Sequence, residues 1–222
     1  PRPNMQGAVG IAVIPIHGTL VKRTLGLEAA SGLTSYQDIG VMLDAALADP
    51  SVTGILLDVD SPGGEASGSF ELARRVREAA AVKPIWAVAN DAAFSAAYAI
   101  ASSAERVVVT DTGGVGSIGV IMQGFGFTGA IDKLGIERRV ITSGERKGFL
   151  DPFRPLEPAD ETHIRSILDE VHGQFVKAVR DGRGAKLKES PELFTGLVWT
   201  GARAIELGLA DALGSVESVA RE

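Results

Sequence analysis

The feature that most restricts the fold is a repeated alternation of a short apolar run, a break rich in glycine or small residues, and a helical pattern. Its clearest copy is Gly54-Ile55-Leu56-Leu57-Asp58-Val59-Asp60, which breaks at Ser61-Pro62-Gly63-Gly64 before a helix carrying Phe70, Leu72, Ala73, Val76 and Ala80. Residues 85–89 form the next strand and run into a helix of very small residues around Ser95, and residues 106–110 form a further strand. Continuous apolar strands alternating with helices predict an α/β fold: a mostly parallel sheet built from repeated βα units with covering helices. Chemistry in such folds collects at the carboxyl ends of the strands.

The flanking segments fit that frame. Residues 9–16 read as a buried strand closed by Pro15 and a His17-Gly18 turn, and residues 20–32 as a loop. Thr34-x-x-Gln37 is a capping-box pattern ahead of Ile39, Leu43, Ala46 and Leu47, with Asp49-Pro50 as the stop. Residues 113–120 read as a glycine-rich turn into a strand, 130–134 as a short helix and 137–142 as another strand. The three prolines Pro152, Pro155 and Pro158 predict an extended arm. Ile164, Ile167, Leu168, Val171, Phe175 and Val179 give an amphipathic helix ending near Asp181-Gly182, and residues 199–211 a strand end, a short helix and a glycine cap. The expectation is one domain over 1–222: βα units in 8–142, a lysine turn and proline-rich arm in 143–158, and a C-terminal helical part in 159–222.

Composition excludes several function classes. With 28 acidic against 22 basic residues, a formal charge of -6 and no basic patch, nucleic acid is not an expected partner. The absence of cysteine removes disulfides, a cysteine nucleophile and thiolate metal sites, and is compatible with either redox compartment, so localisation stays open. Apolar runs fall short of the roughly 18 residues a spanning helix needs, so membrane association is expected only through a segment outside this chain. Pro1 in place of an initiator methionine points to a trimmed or processed chain.

Ser95 is the nucleophile candidate. A serine at the first turn of a helix has its own amide and the next, that of Ala96, free of intrahelical partners and able to bind an oxyanion. The alternative for the stretch alone is an ordinary serine N-cap. His17, His163 and His172 read as structural or surface residues; the last two are spaced on one helix so that they do not share a face. One or both of Asp58 and Asp60 read as acceptors for nearby turn amides, with no third ligand to make a metal site. A lysine replaces histidine as base only where burial lowers its pKa. Lys147 follows a β-branched run and the Ser143-Gly144 turn, the sort of position that points a side chain into a cleft, although taken alone it reads as a solvated lysine; Lys22, Lys83, Lys177, Lys186 and Lys188 lie in connections or on surface helix.

Taken in order, Ile14-Pro15-Ile16-His17-Gly18-Thr19-Leu20, Asp58-Val59-Asp60-Ser61-Pro62-Gly63-Gly64, Ser95-Ala96-Ala97-Tyr98, Gly116-Ser117-Ile118-Gly119-Val120 and Ser143-Gly144-Glu145-Arg146-Lys147 resemble the signal peptide peptidase A family of serine peptidases. Within it the chain looks most like the capsid assembly proteases of tailed phages. The resemblance implies a ClpP/crotonase-like fold and a Ser/Lys dyad, with Ser95 as nucleophile, Lys147 as general base and Ser117 holding the lysine. It implies an oxyanion hole from the amide of Ala96 and one from Gly63 or Gly64, and no metal or cofactor. It also implies peptide or unfolded-protein substrates, and a homo-oligomeric ring in which neighbouring subunits share active sites. Two departures stand out: Ala96-Ala97 replaces the usual pair of glycines, and Phe94 is bulkier than the common alanine. A crotonase-like acyl-CoA enzyme and a catalytically silent ring subunit are the alternatives.

Overall fold

The computed structural model describes residues 10–24 and 32–222. These residues divide into two compact units, one comprising the described residues up to Gly119 together with Gly173–Glu222 and the other Val120–His172.

The first unit is built on one eight-stranded sheet. Its strands are β1 (Gly10–Val21), β2 (Leu33–Ser35), β3 (Val52–Gly64), β4 (Ile85–Phe94), β5 (Arg106–Val109), β6 (Gly114–Gly116), β7 (Val198–Thr200) and β8 (Ala212–Leu213). The order is β2-β1-β3-β4-β5-β8, every neighbour parallel, with β6 continuing beside β4 and only β7 antiparallel to it. Helices α1 (Tyr36–Ala48), α2 (Ser69–Ala80) and α3 (Ala96–Ala101) follow β2, β3 and β4, so the predicted βα units are present.

Burial follows the two faces of the sheet. Ile14, Ile16, Ile55, Leu57, Val59, Ile85, Ala87, Val107 and Val109 join one large core, into which α1 sends Ile39 and Leu43 and α2 sends Leu72 and Val76. Leu56, Val88 and Val108 point the other way, toward Val219 in the C-terminal helical turn Val216–Val219. Central strands buried on both faces explain the unbroken apolar runs.

Several boundaries differ from the sequence reading. β1 does not end at Pro15 but runs through His17-Gly18 to Val21, with a register slip there and Gly18 at φ 68. It is also buried on one face only, since Ile11 and Val13 are 45% and 48% exposed. The cap of α1 is Ser35, not Thr34; its hydroxyl accepts the Asp38 amide at 3.0 Å. Ser61-Pro62-Gly63-Gly64 is the end of β3 rather than a break after it. Most of the loop read at 20–32 lies outside the described residues.

The second unit carries α4 (Thr128–Lys133), as expected, and the first half of α5 (Pro158–Arg183). Residues 137–142 form no strand: they have no ladder partner, and Ile141 is 99% exposed. A β-branched run becomes a strand only where an edge is available to it. After Gly116 the chain is likewise irregular rather than a strand, and the proline-rich segment contains a turn closed by the Arg154 amide on the Asp151 carbonyl. The second half of α5 belongs to the first unit, where Phe175 and Val179 are buried and Phe175 meets Phe70 at 5.7 Å between ring centroids.

Candidate active site

β4 delivers Ser95. Its strand is extended through Phe94, and α3 begins at Ala96, so a single residue makes the strand-to-helix turn. That residue takes φ 49 and ψ -125, a conformation sparsely populated by anything but glycine. The Ser95 side chain makes no capping hydrogen bond, which removes the ordinary N-cap reading and leaves the hydroxyl uncommitted to its helix. One expectation is corrected: the Ser95 amide is not free but donates to the Gly116 carbonyl at 2.9 Å. β6 had not been foreseen beside β4, and it is what consumes that amide. The Ala96 amide, first in the helix, has no carbonyl acceptor among the described residues.

β3 brings the glycine pair to this turn. A Cβ built on Gly63 would lie 2.7 Å from Ser95 Cβ, 2.8 Å from the Phe94 carbonyl oxygen and 3.0 Å from the Ala96 nitrogen, and Gly63 itself has φ 97. Only glycine lets β3 approach that closely. The Gly63 amide donates to Ser61 Oγ at 3.1 Å, and the Glu65 amide to the Leu20 carbonyl at 2.9 Å, both toward β1. The Gly63 amide is thus committed, which leaves the Gly64 amide as the other donor of the pair. Gly63 is buried and Gly64 exposed.

β6 places Ser117. It directly follows Gly116, whose carbonyl holds the Ser95 amide, and it too has a positive φ, 53, with its own amide donating to the Leu197 carbonyl at 2.8 Å. Phe94 packs on β6 at Gly114, where a Cβ would come within 2.8 Å of the ring. The structure thus brings Ser95, Ser117, Ala96, Gly63 and Gly64 together at the carboxyl ends of β3, β4 and β6. Lys147 belongs to the other unit, where it is exposed on a run of turns and its amide donates to the Gly144 carbonyl at 3.1 Å.

Neighbouring polar groups are structural. Tyr98 is fully buried and donates to the Leu209 carbonyl at 2.9 Å; burial raises its phenol well above the ordinary range. Arg183, buried on α5, forks onto both oxygens of Asp211 at 2.9 Å and donates to the Gly208 carbonyl at 2.8 Å. Burial pulls the Asp211 carboxyl upward, but Arg183, the Val107 amide and Lys186 outweigh it and hold the group below its usual value. Asp58 does not serve turn amides: its Oδ2 meets His17 Nε2 at 3.1 Å, while Oδ1 is buried without a partner. Among the described residues no cluster of three or more acidic, histidine or cysteine side chains has metal-holding geometry, and no helix is long and apolar enough to cross a membrane.

The model of peptidase family S49 matches residues 77–222. Capsid assembly protease C of Escherichia phage lambda is 39% identical over 92% of this chain and 46% of the relative. The head-tail preconnector protein GP5 of Enterobacteria phage P21 is 39% identical over 92% and 40%. A Brucella melitensis protein named Na(+)/H(+) antiporter NhaA is 36% identical over 96% of this chain and 29% of its own length. The chain therefore spans less than half the length of these relatives. Among solved structures, ClpP1 from Listeria monocytogenes superposes with a TM-score of 0.56 at 11% identity, covering 93% of this chain and 92% of that one. The 1510-N membrane-bound stomatin-specific protease superposes with 0.54 at 13%, covering 96% and 84%. The fold is ClpP-like.

Proposed function

The chain belongs to peptidase family S49, and from that premise we propose that it is a serine endopeptidase forming an acyl-enzyme on Ser95. The observation that carries the reading is the backbone of Ser95: a serine at φ 49 on a one-residue strand-to-helix turn, its hydroxyl unused as a cap and Gly63 pressed against it. Such a turn holds a nucleophile out from the end of a sheet, and the strain is retained because the fold around it leaves no alternative.

In this reading Lys147 takes the hydroxyl proton during attack, returns it to the leaving amine and then activates the deacylating water. Ser117 hydrogen-bonds the lysine and holds it. The oxyanion is received by the Ala96 amide and by one from the glycine pair; Gly64 is the better donor, because the Gly63 amide is taken by Ser61. Lysine works as a base only where burial makes its neutral form accessible. Lys147 is exposed in its own unit, so assembly supplies the burial: subunits form a homo-oligomeric ring in which each Lys147 completes the site of a neighbouring Ser95. The dyad requires no metal or cofactor.

Extended or unfolded polypeptide is the substrate, adding as a strand beside Gly63-Gly64. The chemistry serves either cleavage of phage capsid or scaffold proteins or removal of signal-peptide remnants. Likeness to the two phage proteins over 92% of the chain supports the first. The antiporter name belongs to a relative of which this chain covers 29%, and is not carried over.

The test is hydrolysis of casein by the purified assembly against Ser95→Ala and Lys147→Ala. Loss of cleavage in both, at unchanged oligomer size, is expected. Cleavage surviving either substitution contradicts the dyad, and an inert parent of the same size points to a silent ring subunit.

A further inference from the structure

Ser61 is wholly buried, at 0% exposure, yet carries a hydroxyl inside the sheet. Both functions of that hydroxyl are used: Oγ donates to the Gly18 carbonyl at 2.6 Å and accepts the Gly63 amide at 3.1 Å. The ladder explains the arrangement. β1 slips against β3 between His17 and Thr19, and β3 slips against β4 between Val59 and Ser61. A slip displaces a rung of a sheet and leaves backbone groups out of register. The Ser61 hydroxyl, short and able both to give and to accept, bridges one displaced carbonyl and one displaced amide.

What it bridges matters because of where Gly63 lies. Gly63 approaches Ser95 Cβ and the Ala96 nitrogen so closely that no Cβ fits between them. Any movement of the glycine pair therefore changes its distance from the serine and from the Ala96 amide. We infer that Ser61 is a positioning residue: its hydroxyl pins the Gly63-Gly64 backbone between the Gly18 bulge and Ser95, and so fixes the second oxyanion donor relative to the Ala96 amide. The inference rests on the reading of Ser95 as nucleophile.

Alanine at 61 leaves a part-buried carbonyl and a buried amide without this partner, and the turn relaxes to find others. Oxyanion donors act within about 2.7–3.1 Å of the developing charge, so a displacement of tenths of an ångström is felt in the transition state more than in substrate binding. Threonine keeps the bridging hydroxyl.

The experiment uses the full chain in its assembled form, a chromogenic peptide substrate and a fluorophosphonate that labels Ser95, with Ser61→Ala and Ser61→Thr beside the parent. In Ser61→Ala, kcat per folded molecule falls about tenfold or more with KM within about twofold, and labelling of Ser95 slows in parallel. Ser61→Thr recovers most of both rates. If Ser61→Ala does not fold, Ser61→Cys, close in volume and a far weaker donor, takes its place with the same expectation. A Ser61→Ala protein whose activity loss matches its loss of folded material, or whose kcat is unchanged, overturns the inference. A parent that neither cleaves nor labels at Ser95 overturns the reading of the site itself, a result visible before any Ser61 variant is compared.

Discussion

Replacing Gly63 with alanine probes the junction on which the site is built. The new Cβ meets Ser95 Cβ at 2.7 Å, the Phe94 carbonyl oxygen at 2.8 Å and the Ala96 nitrogen at 3.0 Å, and two of the three are backbone atoms that cannot rotate away. Holding alanine at φ 97 costs about 1–3 kcal/mol. Overpacking against β4 and the start of α3 adds about 1–3 kcal/mol. The sum, about 2–6 kcal/mol, corresponds to a fall in Tm of about 5–20 °C for a chain of this size. Relief comes only from moving β3 away from Ser95, which takes an oxyanion donor with it, so kcat drops by about 10²–10³. Thermal unfolding followed by circular dichroism, with peptide hydrolysis on the folded fraction, reads both effects. A Gly63→Ala protein with Tm within about 2 °C of the parent and undiminished activity would refute the close approach of β3 to the serine.

Further expectations concern neighbouring groups. Ser95→Gly relieves the positive φ that Ser95→Ala retains, so among these two inactive variants the glycine protein is more stable by about 1 kcal/mol in urea unfolding; an equal or lower value would mean that Ser95 carries no strain. Asp211→Asn strands the buried Arg183 guanidinium and destabilises by about 3 kcal/mol, which a loss of less than about 1 kcal/mol would contradict. Because the Asp211 pKa is depressed in the fold, its contribution is fully present above the unfolded carboxylate value of about 3.9 and is lost as pH falls through the lower folded value; parent and Asp211→Asn stabilities therefore converge in acid. Mixing Ser95→Ala with Lys147→Ala subunits, each inert alone, restores part of the cleavage if sites are shared between neighbours, and no recovery in mixed assemblies would place both residues of a dyad in one subunit.

The βα units were legible because continuous apolar runs such as residues 85–89 occur where a strand is buried on both faces. Ser95 was legible as a residue but not as a conformation: its positive φ and the loss of its amide to Gly116 depend on β6, three residues of glycine and valine with no periodicity to read. Ser61 looked like part of a turn motif, since nothing local distinguishes a hydroxyl ending a strand from one bridging two slipped strands. Residues 137–142 have the composition of a strand, yet no edge is offered to them, and pairing is a property of the sheet rather than the segment. The cap of α1 moved by one residue because Thr34-x-x-Gln37 and Ser35-x-x-Asp38 both satisfy the capping pattern. Thr34 spends its hydroxyl on the His17 carbonyl at 2.6 Å, leaving Ser35 to cap.

The most direct test of the account is the site of covalent labelling by a fluorophosphonate on the assembled protein, read by intact mass and peptide mapping. The account predicts one adduct per chain, on Ser95, absent from Ser95→Ala and strongly slowed in Lys147→Ala. An adduct on another serine, or none on a folded and assembled protein, would contradict it.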